Sequence, residues 1–365
     1  MRRFLLIPFC TFSLILAEFS QTPAADILPP SGNLPFSDVH FQDIPNEDPI
    51  HLTQYRSPQY QPAPEQYFPD PYLMDEAGLM GETGDFWGDD LAATGNVRPG
   101  ILPDYFDIFH GLDASKQPQD FGVNGLYGGR FSVNATWILD DISGIGWQLG
   151  TSVNYSENGL PITEQFTGSS RRIQNFSTFG LFQHADNGIT WGAAFDLLYQ
   201  DYYDEFLLGQ WRANLGFSLT QNDDFGVWMA IPQFSDRGNF GSIPVKLTPI
   251  QQVNFYWRKF WKSGVVTTNW IGWAQEHNDA NLLYGDQDSN GPHFVHGSEF
   301  HAPLNDHLAI YGQGNFIRPV DSGAINAYVG LVFYLGGGAF DAPYRRNAPV
   351  HSVANNPMFT LDLSR

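Results

Sequence analysis

Val123-Asn-Gly-Leu-Tyr-Gly-Gly-Arg130-Phe-Ser-Val-Asn-Ala-Thr-Trp-Ile-Leu139 decides the fold. Val123, Tyr127, Phe131, Val133, Ala135, Trp137 and Leu139 occupy odd positions, and Asn124, Arg130, Ser132, Asn134 and Thr136 lie between them. A period of two puts one set on each face of a strand. The next segment repeats it: Ile145, Trp147, Leu149, Val153 and Tyr155 alternate with Gly146, Gln148, Gly150, Ser152 and Asn154. Such segments recur to the end of the chain, joined by connections that alternate short and long. That combination predicts an all-β fold, an antiparallel up-and-down transmembrane β-barrel.

The loop lengths set the strand number. Strands are expected over 123–139, 145–155, 173–183, 189–200, 206–220, 225–231, 251–261, 265–275, 293–302, 308–317 and 324–335. These are eleven, and single-chain bacterial barrels generally have an even number, with short periplasmic turns and longer outer loops. With the short connections inside, the strand from 123 begins outside the cell, so an earlier strand must carry the chain outward. Asp104-Tyr-Phe-Asp-Ile-Phe-His-Gly111 alternates and lies directly upstream. Counting it gives about twelve strands, with the barrel spanning 104–336.

Composition agrees. The chain has 365 residues, 37 of them Gly, 25 Pro and 30 Phe, a poor recipe for helices. Residues 1–24 read as a signal peptide: Arg2 and Arg3 precede an apolar run from Phe4 to Leu16, too short for a spanning helix. Cys10 is the only cysteine, so cleavage leaves a thiol-free protein. Residues 25–103 form an acidic segment rich in Pro, Tyr and Gln, expected to be disordered because it buries too little apolar surface to offset ordering entropy. Residues 337–365 are expected to form a periplasmic C-terminal tail.

Charge excludes one class of partner. The formal charge is −21, and losing Arg2, Arg3 and Glu18 with the leader makes it −22. Nucleic-acid binding needs Lys and Arg against phosphate, so nucleic acid is excluded. From Asp104 onward, 14 basic face 25 acidic residues, a net −11 that favours neutral or cationic solutes. The expected partners are outer-membrane lipid and the barrel-assembly machinery, with small solutes or envelope components beyond them.

A soluble sandwich also alternates. Segments of 11 or more residues, and tryptophans near segment ends, favour the membrane. Trp137, Trp147, Trp191, Trp257 and Trp261 are the candidate interfacial girdle. Arg130, Gln148, Asp196, Gln210 and Arg212 are the candidate lumen-lining residues, with Asp196 and Arg212 on adjacent strands and able to pair. In 265–275, two sets of residues compete for the outer face.

The chain also resembles bacterial secreted proteins of unknown function, abundant in planctomycetes, that have a presumed outer-membrane barrel. The resemblance covers about 105–363. It rests on Phe109-His-Gly111, Arg172-Ile-Gln-Asn-Phe-Ser-Thr-Phe-Gly-Leu-Phe182, Asp196-Leu-Leu-Tyr-Gln-Asp-Tyr-Tyr203, Gln210-Trp-Arg212 and the ending Val353-Ala-Asn-Asn-Pro-Met-Phe-Thr-Leu-Asp362. It implies a barrel and no specific activity. The last strand stops about 30 residues before the end, unlike barrels that finish on a terminal aromatic.

Chemistry-bearing clusters are few. Asp286, Asp288 and Asn290, followed by Gly291, open like a calcium loop, but Gly297 stands where the chelating Glu belongs. Calcium is the one cofactor candidate. His293, Glu299 and His301 share a strand face and His296 points the other way. No nucleophile with base and orienting partner is apparent, so the chain is read as a non-enzyme. The expected function is a porin-like passage for small solutes. The alternative is a non-conducting barrel that anchors loops 156–171, 232–250 and 276–291. The third is a secreted soluble sandwich.

Overall fold

A computed structural model describes residues 102–120, 125–140, 143–160, 164, 168, 170–275, 293–318 and 323–364. The signal peptide, residues 25–101 of the acidic segment 25–103, and the calcium candidate Asp286, Asp288 and Asn290 lie outside the described residues.

Twelve strands close into one antiparallel barrel. They are β1 (Tyr105–Lys116), β2 (Leu126–Asp140), β3 (Ile145–Asn158), β4 (Arg171–His184), β5 (Ile189–Asp201), β6 (Glu205–Thr220), β7 (Asp223–Phe234), β10 (Gln252–Phe260), β11 (Val266–Ala274), β12 (His293–Asn305), β13 (Leu308–Ile317) and β14 (Ala324–Tyr334). Between β7 and β10 the chain makes a hairpin, β8 (Asp236–Phe240) and β9 (Ile243–Pro249). A last strand, β15 (Leu361–Ser364), pairs with β9, giving a separate sheet in the order β15-β9-β8. Segment 232–250, expected to be a long loop, therefore finishes β7 and carries this hairpin.

The strand inferred from parity exists and closes the barrel. β1 pairs with β2 on one side and, from Asp107↔Tyr334 to Lys116↔Ile325, with β14 on the other. Closure leaves no unpaired barrel edge. The short turns gather at one end. Gly188 and Gly264, with φ of 80° and 79°, take the left-handed conformation two of these turns require.

The faces divide by charge. Outward Glu157, Arg171, Asp201 and Glu205 lie at the long-loop end of their strands, and Asp223 and Lys259 at the short-turn end. Between those levels, no described outward barrel residue is Asp, Glu, Lys or Arg. Large apolar side chains fill the belt instead, including Leu112, Phe131, Phe179, Leu207, Trp211 and Phe255. On β11 the competition is settled by register: Ile271 and Trp273 face out, while Trp270 is buried inside with its indole N–H donating to Asn315 Oδ1 at 3.1 Å.

The C-terminal segment is the main departure from expectation. A tail lying outside the barrel does not form. The chain turns back beneath β14, enters the lumen at the short-turn end, and leaves at the long-loop end to form β15. Buried polar groups inside the barrel and an apolar cluster near its far end draw it in. Crossing the lumen places Ser364 on the same side as the β8–β9 hairpin and opposite the turn at Asp306.

Single-cysteine variants in oriented proteoliposomes check this. An impermeant maleimide is expected to label Ser364→Cys and Asn239→Cys from one side and Asp306→Cys from the other. Labelling of Ser364→Cys together with Asp306→Cys would contradict the threaded tail.

Candidate functional site: a lumen filled by the C-terminal segment

The site begins with an unusual requirement. A segment crossing a barrel without strand partners exposes backbone groups that must find hydrogen bonds elsewhere. Inward side chains supply them. Thr136 Oγ1 donates to Asn347 O, the Asn347 side chain in turn donates to Asp104 O at 2.6 Å, and Ala348 O lies 3.0 Å from His184 Nε2. Higher in the lumen Gln148 Nε2 donates to His351 O at 2.9 Å, Arg212 Nη2 to Ser352 O at 2.8 Å, and Arg130 Nη2 to Val353 O at 3.3 Å. The Ala354 amide donates to Thr178 Oγ1 at 2.9 Å. Asn315 Nδ2 reaches Pro357 O and Gln210 Nε2 reaches Met358 O, both at 3.0 Å.

The five candidate lumen residues are thus brought to one task. Arg130, Gln148, Gln210 and Arg212 each donate to the tail, and Asp196 holds Arg212. The Asp196–Arg212 pair is bidentate, with Nε–Oδ2 at 2.6 Å and Nη2–Oδ1 at 2.9 Å, and both side chains are buried. Thr178 and Gln210 also donate to the carboxylate, at 2.9 and 3.0 Å. Every strong lone-pair direction of Asp196 is used, the condition under which a buried ion pair is tolerated. Arg130 stacks over the Tyr328 ring, its Cζ 4.1 Å from the centroid.

Small lumen residues make room. A Cβ on Gly150 would collide with Val353, and one on Gly192 would sit 3.0 Å from Val350. Glycine on the inward face therefore serves clearance for the tail.

At the long-loop end the tail is locked by apolar contact and a polar rim. Phe359, Leu361 and Leu363 cluster with Phe176, Leu198, Phe206 and Leu208 of the wall and Val245 and Leu247 of β9. Phe359 meets Phe176 edge to face, centroids 5.9 Å apart. Beside it the short turn Pro118–Asp120 folds over the mouth. Gln117 Oε1 accepts the Leu361 amide at 3.1 Å, and Asp120 Oδ2 accepts the Gln117 amide at 2.8 Å. Burial pushes the Asp120 carboxyl up to about 6, against the pull of Arg172, whose guanidinium lies 3.5 Å away.

The girdle candidates lie on the outer face near the short turns. Trp137 and Trp147 stack at 4.4 Å; Trp191 donates to Gln183, Trp257 to Asp223 and Trp261 to Thr267. Among the described residues no three of His, Cys, Asp and Glu converge as metal ligands. His293, Glu299 and His301 point inward and His296 outward; His301 Nε2 lies 2.8 Å from the Tyr334 hydroxyl.

The sequence reading missed the tail residues themselves. A signal was present: Phe176, Leu198, Phe206 and Leu208 are apolar at inward positions, where the alternation calls for polar ones.

A family model described as a family of unknown function, DUF6666, matches residues 105–361, and the chain belongs to that family. No curated protein matches. Among solved structures, the chain is similar to an outer-membrane channel from Pseudomonas putida F1 at 10% identity, covering 66% of this chain and 99% of that one, TM-score 0.46. It is similar to the translocator domain of the autotransporter NalP from Neisseria meningitidis at 10% identity, covering 63% and 88%, TM-score 0.41. It is also similar to outer membrane phospholipase A from Escherichia coli at 10% identity, covering 64% and 97%, TM-score 0.35.

Two substitutions probe the seal. Arg212→Ala strands the Asp196 charge and is expected to cost about 3–5 kcal/mol, seen as a lower unfolding temperature on heat-modifiability gels. Phe359→Ala removes a fully buried ring, a change worth about 3–5 kcal/mol. It is expected to expose the tail to protease while the barrel strands stay resistant. Wild-type unfolding temperature for Arg212→Ala would refute the pairing.

Proposed function

We propose that this DUF6666 chain is a bacterial outer-membrane barrel that stands closed, with its own C-terminal segment as the plug, and that it displays the β8-β9-β15 sheet at its outer mouth. The single observation that carries this reading is the path of residues 347–360 through the lumen, bonded to the wall at each level.

Membrane residence is supported by the charge-free outer belt. The twelve barrel strands have 9 to 16 residues, against the roughly nine to eleven a tilted spanning strand needs. Short turns then face the periplasm and the C-terminal strand faces outward. A signal peptide over residues 1–24 supplies export in this reading.

The plug favours the anchoring role over an open porin. Twelve strands fall between the filled eight-stranded and water-filled sixteen-stranded cases, so width alone does not decide between a plug and a narrow channel. Here the tail takes that space. Passage of small neutral or cationic solutes, consistent with the net −11 of the chain from Asp104 onward, requires the tail to leave. No catalytic step is assigned.

Planar-bilayer recording separates the two. The full chain is expected to be silent, and a chain lacking residues 337–365, or one with Gly150→Leu and Gly192→Leu, to give reproducible steps. Regular steps from the full chain would overturn the closed reading. Trp211→Arg checks the belt: it is expected to impede folding into bilayers by about 2–4 kcal/mol, and unimpaired insertion would count against membrane residence.

A further inference from the structure

The tail seals one half of the lumen more completely than the other. Near the short-turn end it leans on the β2–β6 wall, through Thr136, Gln148, His184 and Arg212. Beside it lies a cavity of about 190 Å3, lined by the opposite wall, β7 and β10–β14 with β1, and also by Arg130, Ser132 and Asn134 of β2. Val353 and Met358 of the tail line it, while Ala342 and Pro343 sit at its lower side. A second cavity of about 410 Å3 at the short-turn mouth shares His184, Arg258 and Pro343 with the first. The lumen is therefore a vestibule that adjoins the short-turn mouth and ends blindly against the plug.

The vestibule wall holds polar atoms that nothing in the described residues satisfies. Arg130 lies over the Tyr328 ring, Trp228 Nε1 is a buried donor without a partner, Asn134 Oδ1 is a buried acceptor without one, and His301 Nδ1 is likewise unpaired. Their residues are 3%, 6%, 3% and 6% exposed, and all four line the same cavity. Unpaired buried polar groups cost free energy that a ligand reproducing the missing bonds recovers.

Charge and shape narrow that ligand. Acidic groups stand within electrostatic reach of the cations, Asp107 near Arg130 and Glu299 near Arg258, with Glu299 also bonded to Tyr311. A charged ligand would bring an uncompensated charge into a balanced site. A purely apolar one would leave the donors unmet. Between the polar groups stand the rings of Tyr256, Tyr311 and Trp270, while Arg130 lies over those of Tyr328 and Phe109. Aromatic faces suit the C–H surface of a ring. In another protein an apolar cavity of about 150 Å3 holds one benzene, so this one accommodates a six-membered ring with polar substituents.

We infer that the vestibule binds a neutral, hydroxyl-bearing ring the size of a single sugar unit, taken up from the short-turn side. The inference is independent of whether the barrel conducts.

The test is saturation-transfer NMR on the purified full chain in a detergent without sugar headgroups. The probes are glucose, galactose and N-acetylglucosamine, with glucuronate and glucosamine as charged counterparts. At least one neutral sugar is expected to bind, and the charged counterparts at least tenfold more weakly. Trp228→Phe is expected to weaken binding about tenfold, and Trp273→Phe, on the outer face, to leave it unchanged. Asn134→Ala, on β2, is the second variant, with the same tenfold loss expected should Trp228→Phe not fold. Absence of binding by all three neutral sugars, with water alone satisfying the site, would overturn the inference. So would equal or tighter binding of a charged counterpart, or unchanged affinity in a folded Trp228→Phe or Asn134→Ala protein.

Discussion

Everything inside this barrel follows from one constraint: a backbone removed from water must have its carbonyl and amide groups bonded. The wall strands meet it through one another. The tail has no strand partner between Asn347 and Thr360, so side chains must do for it what a neighbouring strand does elsewhere. Charged and amide donors on β2, β3, β6 and β13 reach its carbonyls at 2.8 to 3.3 Å, from His351 to Met358. Such donors are long, and they are positioned by the pleat, which turns every second side chain inward. The lumen is polar because it houses backbone.

The same constraint explains why the molecule tolerates so many buried charges. Asp196 and Arg212 would be costly alone, since taking two ions out of water is repaid only when the geometry is good and the remaining lone pairs are occupied. Thr178 and Gln210 occupy those of Asp196, and the Ser352 carbonyl accepts from the Arg212 guanidinium. The ion pair is neutral as a unit and still aims a guanidinium N–H at the tail. A single Lys could not do both, because the fork of an arginine presents several fixed donors.

Much of this architecture was legible from residue pattern. Alternation located eleven strands, and loop-length parity required the twelfth, found at Tyr105–Lys116. Arg130, Gln148, Asp196, Gln210 and Arg212 were readable as inward because they interrupt apolar runs at even positions. Their common purpose was not, because a period-two pattern reports which face a residue occupies and says nothing about what lies across the lumen. The tail is the clearest case. Val353-Ala-Asn-Asn-Pro-Met-Phe359 has neither strand nor helix periodicity, since its conformation is dictated by surroundings; Asn355 caps its turn by accepting the Met358 amide. The residues that give it away, Phe176, Leu198 and Leu208, look like faults in the alternation until Phe359 is set against them.

The two halves of the seal are chemically different, and this gives the plug a direction. At the short-turn half the tail is held chiefly by polar side chains, and water can replace those bonds at modest net cost, because an intramolecular hydrogen bond is worth only about 0.5–1.5 kcal/mol over its hydrated alternative, or about 1.5–3 kcal/mol where a charged group such as Arg212 donates. At the long-loop half Phe359, Leu361 and Leu363 are buried among apolar side chains, and water offers them nothing in exchange. Loosening therefore begins at the short-turn mouth, where the vestibule already separates the tail from one wall. It stops at the apolar cluster and the β15–β9 pairing. A tail held this way is tied less firmly in the short-turn half of the lumen than in the long-loop half.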